Sequence, residues 1–174
     1  MKRLLLCCLL LSLVGMSGAQ AAERGGVKGS VGYSFLYGSE DGFSLTFPLG
    51  GYAAVSATSA SGFGGELRLS YHHHWKSDST IAVNELLATA GPRFEFSTAG
   101  TSVPFLHLLA GVERSSSERD SNSAFALMGG GGVDLKAGSS VGLRLEADYR
   151  FLRVGGVTNN AVLVNIGVVF GGKK

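Results

Sequence analysis

His72, His73 and His74 stand in a row before Trp75, and three consecutive imidazoles invite a metal ion. In an extended chain successive side chains alternate between faces, so His72 and His74 can share a ligand while His73 points the other way. No third ligand is evident, and the run reads better as a polar strand end entering a loop. His107 could act as a general base. A hydrolase needs a nucleophile, a base and an orienting group within hydrogen-bond reach, and the sequence places no such set. His107 is therefore read as a satisfied interior histidine. Gly129-Gly130-Gly131-Gly132 would cradle a phosphate if it opened a helix, but it runs into Val133-Asp134-Leu135 within an alternating segment. Glycine there suits curvature and close backbone approach. No catalytic residue, cofactor or metal site is assigned, and the chain is not expected to be an enzyme.

The chemistry that does recur is charge confined to one side of an extended chain. Val141 to Phe151 reads Val-Gly-Leu-Arg-Leu-Glu-Ala-Asp-Tyr-Arg-Phe. Val141, Leu143, Leu145, Ala147, Tyr149 and Phe151 fall on one face, and Arg144, Glu146, Asp148 and Arg150 on the other. That period is a strand's. Val31, Tyr33, Phe35 and Tyr37 alternate with Lys28, Ser30, Gly32 and Ser34 in the same way. So do Leu67, Leu69 and Tyr71 with Glu66, Arg68 and His72, and Leu86, Ala88 and Phe94 with Glu85, Thr89, Arg93 and Glu95. Leu106, Leu108 and Val112 oppose Phe105, His107 and Glu113; Leu127, Val133 and Leu135 oppose Met128, Asp134 and Lys136. The last such segment, Val162 to Phe170, sets five apolar positions against Asn165 and Gly167.

Phe43, Leu45, Phe47 and Leu49 form one apolar parity against Ser44, Thr46 and Pro48. Tyr52 to Thr58 is read as continuing that strand past the Pro-Gly-Gly irregularity, because Pro and Gly in a strand mark a bulge or an end. Eight strands result, or nine or ten if Gly50-Gly51 is a true turn. Thr98 to Ser102 and Ala137 to Ser140 look like short connections. Lys76 to Thr80, Ser115 to Asn122 and Gly155 to Asn160 are polar and look like longer ones.

The N-terminus carries a targeting pattern. Lys2 and Arg3 precede the apolar run Leu4 to Val14, and Ala19-Gln20-Ala21 is a small-x-small cleavage site. Residues 1–21 are read as a secretory signal peptide and 22–174 as one domain. Cys7 and Cys8 fall inside the leader, so the mature chain has no thiol for a disulfide or a metal. Net charge is only +2, with no basic block to suggest nucleic acid. Beyond the leader no apolar run is long enough for a membrane helix. A membrane-spanning mature chain must then be a closed barrel, since unpaired backbone groups are too costly in lipid.

A soluble sandwich would share the alternation, but not a charge-free outer face together with an export signal. With the apolar parity toward lipid, the acids Glu66, Glu85, Glu95, Glu113, Asp134, Glu146 and Asp148 point into the lumen with the bases Lys28, Arg68, Arg93, Lys136, Arg144 and Arg150. A small barrel has just enough interior for side chains to fill, and opposed charges there should pair. The expected lumen network comprises Glu66, Arg68, Arg93, Glu95, Glu113, Asp134, Arg144, Glu146, Asp148 and Arg150. Tyr37, Trp75, Tyr149, Phe151 and Phe170 sit near strand ends, as interface girdles do.

Val103-Pro104-Phe105-Leu106-His107 with Gly111, Ala124 to Asp134, Leu143-Arg144 with Asp148-Tyr149, Thr158-Asn159-Asn160, and the earlier Gly91-Pro92-Arg93 resemble the outer-membrane β-barrel proteins of the OmpA-like or porin-like kind. The C-terminal half carries the motifs and the N-terminal half only the strand pattern. The resemblance implies an eight-stranded antiparallel up-and-down barrel in a bacterial outer membrane. It implies a monomer surrounded by outer-membrane lipid and inserted by the barrel-assembly machinery, with no cofactor and no nucleic-acid partner. Such chains often end on an aromatic residue, whereas here Gly171-Gly172-Lys173-Lys174 follow Phe170. A structural or surface-interaction role is expected, with a narrow porin as the alternative and a lipid-modifying enzyme third.

Overall fold

The computed structural model describes residues 26–40, 43–75, 82–96, 100–117, 121–154 and 157–171. The leader and the polar stretch Lys76 to Thr80 lie outside them. Nine segments follow in order: β1 (Gly26–Glu40), β2 (Phe43–Phe47), β3 (Leu49–Thr58), β4 (Phe63–His74), β5 (Val83–Glu95), β6 (Ser102–Ser117), β7 (Ser121–Lys136), β8 (Val141–Val154) and β9 (Val157–Gly171). From β3 onward each is antiparallel to the next, and β9 returns to pair with β1, which closes the sheet.

β2 and β3 are two halves of one barrel strand. Both pair with β1, through Leu36↔Phe47 on one side and Tyr33↔Gly51 on the other. Ser34 and Phe35 thus face Pro48, Leu49 and Gly50, which is a bulge. Pro48 has no N–H to give the ladder. The barrel therefore has eight strands, and the Pro-Gly-Gly irregularity is a bulge, not a turn. The extra residue also corrects the face expected for Phe47. Leu49 points outward at 46% exposure, while Phe47 is buried in the lumen at 1%.

Following paired residues from Gly29 through Val55, Leu67, Ala90, Ala110, Leu127, Phe151 and Asn160 leads back to β1 at Ser39, ten residues further on. That stagger forces the strands to tilt. β4, with 12 residues, is the shortest full strand. At ~3.3 Å per residue and a tilt of about 40° it still rises roughly 30 Å, enough for an apolar band about 25 Å tall.

Two connections are shorter than their polarity suggested. Ser115↔Asn122 and Ser116↔Ser121 are paired between β6 and β7, and Phe151↔Asn160 and Arg153↔Thr158 between β8 and β9. Serine, threonine and asparagine mark where the strands leave the apolar band. They do not mark where pairing stops, because the backbone ladder is indifferent to the side chain it carries. At the other end of the barrel, near both described termini, Gly62 takes a φ of 90°. Its turn is held by Ser59, whose N–H and hydroxyl both donate to the Phe63 carbonyl at 2.9 Å. Gly130 and Gly132 face Asp148 and Glu146 across the β7–β8 ladder, and a Cβ at either would strike the carbonyl of Ala147 or Leu145. Glycine here admits the neighbouring strand and leaves lumen volume to longer side chains.

Candidate functional site: the charge-paired lumen

Alternation turns every second residue inward, and at the terminal end of the barrel those residues form one ion-pair network. Arg68 on β4 meets three carboxylates. Its Nε and Nη2 donate to Glu66 Oε1 at 3.1 and 2.7 Å, and Nη2 donates to Glu146 Oε2 at 2.7 Å. Its Nη1 donates to Glu146 Oε1 and, at 2.9 Å, to Asp148 Oδ2. Arg93 on β5 also meets three, donating to Glu66 at 2.6 Å, Glu95 at 3.2 Å and Asp134 at 3.3 Å. Arg144 on β8 grips Asp134 with both ends of its fork, at 2.7 and 2.9 Å, and donates to Ser30 Oγ at 3.0 Å. Lys28 on β1 donates to both Glu95 oxygens at 2.9 Å. These are the charge-assisted, forked contacts that fix geometry most strongly.

The apolar parts of these cations are also placed. The Arg93 guanidinium lies 3.6 Å from the centre of the Phe105 ring, and that of Arg144 lies 4.8 Å from it. Arg68 covers Tyr52 at 5.2 Å. Stacking on a ring face stabilises a desolvated guanidinium further.

His107 completes the network. Its Nε2 lies 2.8 Å from Asp148 Oδ1 and its Nδ1 3.4 Å from Glu66 Oε2. Ionised carboxylates only accept, so a ring protonated on both nitrogens satisfies both contacts. Glu66, Glu95, Asp134, Glu146 and Asp148 are then matched by Lys28, Arg68, Arg93, Arg144 and His107. Asn165 Nδ2 donates to Glu146 and Asp148 at 2.7 and 3.0 Å.

A second, smaller cluster lies toward the opposite end. A single nitrogen, Arg150 Nη1, donates to Glu85 Oε2 at 2.8 Å and also to Glu113 Oε2. Among the described residues Arg150 Nε has no hydrogen-bond partner, nor has Nδ1 of buried His72. Beyond the large network the lumen turns apolar. Leu87 precedes Glu85 in the climb along β5, Leu109 separates His107 from Glu113 on β6, and Leu163 follows Asn165 on β9. With Leu36, Phe47, Met128 and Leu152 they form one buried cluster.

The residues expected to meet therefore do so in two groups. Glu66, Arg68, Arg93, Glu95, Asp134, Arg144, Glu146 and Asp148 share the large network. Glu113 and Arg150 belong to the small one, together with Glu85. Lys136, read as an inward base, is exposed at the end of β7. Sequence reasoning missed the apolar cluster and Tyr52 as a platform for Arg68. His107 was read from the inward parity of β6 as a satisfied interior histidine, without its partners Glu66 and Asp148.

A family model for the outer membrane protein beta-barrel domain matches residues 6–170. The chain belongs to the outer-membrane β-barrel family. No curated protein sequence matches it. Among solved structures, Neisserial surface protein A is similar with a TM-score of 0.72 at 14% identity, over 86% of this chain and 97% of that one. OprG of Pseudomonas aeruginosa gives a TM-score of 0.57 at 13% identity, covering 90% and 98% of the two chains. Ail, the attachment invasion locus protein of Yersinia pestis, in complex with the heparin analogue sucrose octasulfate, gives 0.53 at 19% identity, covering 84% and 99%.

In an outer-membrane barrel the exposed apolar face meets lipid, and Leu67, Leu69, Leu106, Leu145, Val164 and Ile166 lie on it. The histidine run divides accordingly. His72 turns into the lumen, with Nε2 2.8 Å from Ser34 Oγ. His73 faces outward, with Nδ1 2.7 Å from Asn84 Oδ1 and its ring edge-on to Trp75 at 5.3 Å. His74 Nδ1 lies 2.8 Å from the Thr46 carbonyl, and its ring is edge-on to Phe47. The three rings go to three different partners. Elsewhere, Glu66, His107 and Glu146 bring donor atoms within 4.8 Å of one another, a spacing suited to a metal. Those carboxylates already hold Arg68 and Arg93, and a cation placed among them would sit against two guanidinium groups.

Proposed function

We propose that this outer-membrane barrel is closed to solutes and acts through its surface, as a structural or surface-interaction protein of the cell envelope. One observation carries the reading: the lumen is crossed by a network in which Arg68 and Arg93 each bind three carboxylates, those of Arg68 on β4 and β8 and those of Arg93 on β4, β5 and β7. The aliphatic layer above it supports the same conclusion. Of the relatives in fold, Neisserial surface protein A is a surface protein by name, and Ail is named the attachment invasion locus protein. The protein works as a monomer inserted by the barrel-assembly machinery, and it is not an enzyme. His107, the one histidine in the network, has both ring nitrogens committed to carboxylates, which leaves none to activate a nucleophile.

The alternative is a narrow porin for small solutes. Liposome swelling with a graded set of small sugars and amino acids separates the two. Vesicles carrying the barrel should swell no faster than empty ones. Swelling that depends on solute size would establish the porin instead.

A further inference from the structure

The lipid-facing wall is hollowed on β3. On the outer face of β3 the side chain is missing at Gly51 and reduced to a methyl at Ala53. Their partners on both sides are large: Tyr33 and Tyr71 flank Gly51, and Val31 and Leu69 flank Ala53. Leu86 extends the far wall beside Tyr71. The result is a depression of about 340 Å³ with Gly51 and Ala53 as its floor. Its aromatic wall is held in place: Tyr71 donates to Asn84 Oδ1 at 2.7 Å. That hydroxyl is thereby spent, so the furrow offers a ligand aliphatic and aromatic surface.

We propose that this furrow is a fixed lipid site that seats one acyl chain of a bilayer glycerophospholipid. It is continuous with the apolar belt, which is already in contact with lipid, so a methylene chain is the material that reaches it. Dispersion contacts decide association within a bilayer, where lipid and leucine are equally apolar. A concave floor between Val31 on one side and Leu69, Tyr71 and Leu86 on the other gives a chain more contacts than a convex wall. A second barrel is also convex and would have to present a matching knob, whereas a flexible chain conforms to the notch.

The test uses Gly51→Leu. A Cβ at Gly51 finds only the Gly32 carbonyl, at 3.5 Å, so the side chain can fill the furrow without moving backbone. Val112→Leu, at an outward position on β6, serves as the control for added bulk. The full-length proteins are reconstituted in dioleoylphosphatidylglycerol vesicles, checked for folding by heat-modifiable gel migration, and transferred to mild detergent for native mass spectrometry. The unmutated barrel and Val112→Leu should each retain one phosphatidylglycerol, and Gly51→Leu should lose it. Equal retention by all three would overturn the proposal. So would a cross-linked dimer of the unmutated protein that Gly51→Leu abolishes, because the occupant would then be a second copy.

Discussion

The two charged regions of the lumen are built from the same residue types and differ in balance. In the large network Arg68 and Arg93 are each shared among three carboxylates, Arg144 holds Asp134 with two nitrogens, and with His107 protonated the five acids meet five cations. In the small one two carboxylates converge on one nitrogen of Arg150, while Arg150 Nε stays unpartnered. Removing charges from water costs several kcal/mol per ion, and only complete pairing with further hydrogen bonds repays it. In the first region every charged group has an opposite partner, although Asn165 Oδ1 and Tyr52 OH beside it are unpartnered among the described residues; in the second, two carboxylates share one cation. The large network is therefore the element that holds opposite walls together, and the small cluster is a tolerated excess of negative charge near the other mouth.

Substitutions can break this contrast in order of size. Arg68→Ala should have the largest effect, because it leaves Glu146 without a cation and takes one partner each from Glu66 and Asp148. Loss of one partner from a dry buried pair costs about 3–5 kcal/mol. Urea unfolding in lipid vesicles should show a loss in that range, and an effect near zero would mean that water already solvates the network. Leu145→Arg tests the wall instead of the lumen. A lipid-facing Arg near the midplane costs about 2–4 kcal/mol, and folding yield into vesicles should fall accordingly. Gly29→Ala is the suitable control, since a Cβ there meets nothing within 4 Å. Gly142→Ser is not, because a Cβ at Gly142 would meet the Leu135 carbonyl at 2.6 Å.

The finest comparison uses one substitution in both regions. Glu66→Gln removes charge from the group that Arg68, Arg93 and His107 all contact, and hydrogen bonds to charged groups contribute about 1.5–3 kcal/mol each. Glu113→Gln removes one of two competing carboxylates and leaves Arg150 bound to Glu85 at 2.8 Å. Unfolding midpoints should fall clearly for Glu66→Gln and stay level or rise for Glu113→Gln. The reverse order would contradict the balance assigned to the two clusters.

Much of this was legible in the sequence because alternation has a physical cause. A charge cannot sit cheaply on the lipid face, so the polar parity of β4, β5 and β8 identified the lumen, and Arg68, Glu95 and Arg144 with it. Where both faces are apolar the same logic is silent. Leu36, Leu87, Leu109 and Leu163 look like any other strand residues, and nothing in their type says that they form one buried cluster in the lumen. Phe47 was placed on the wrong face because a bulge shifts parity by one without changing composition. The serines of β6 and β7 were read as loop because polarity reports contact with water, and these strands continue into it.

The claim that the paired network closes the barrel is tested most directly by planar-bilayer recording of the unmutated protein. The account predicts a quiet membrane, with current at the level of protein-free controls. Large, stable and reproducible conductance steps would contradict it and establish an open pore.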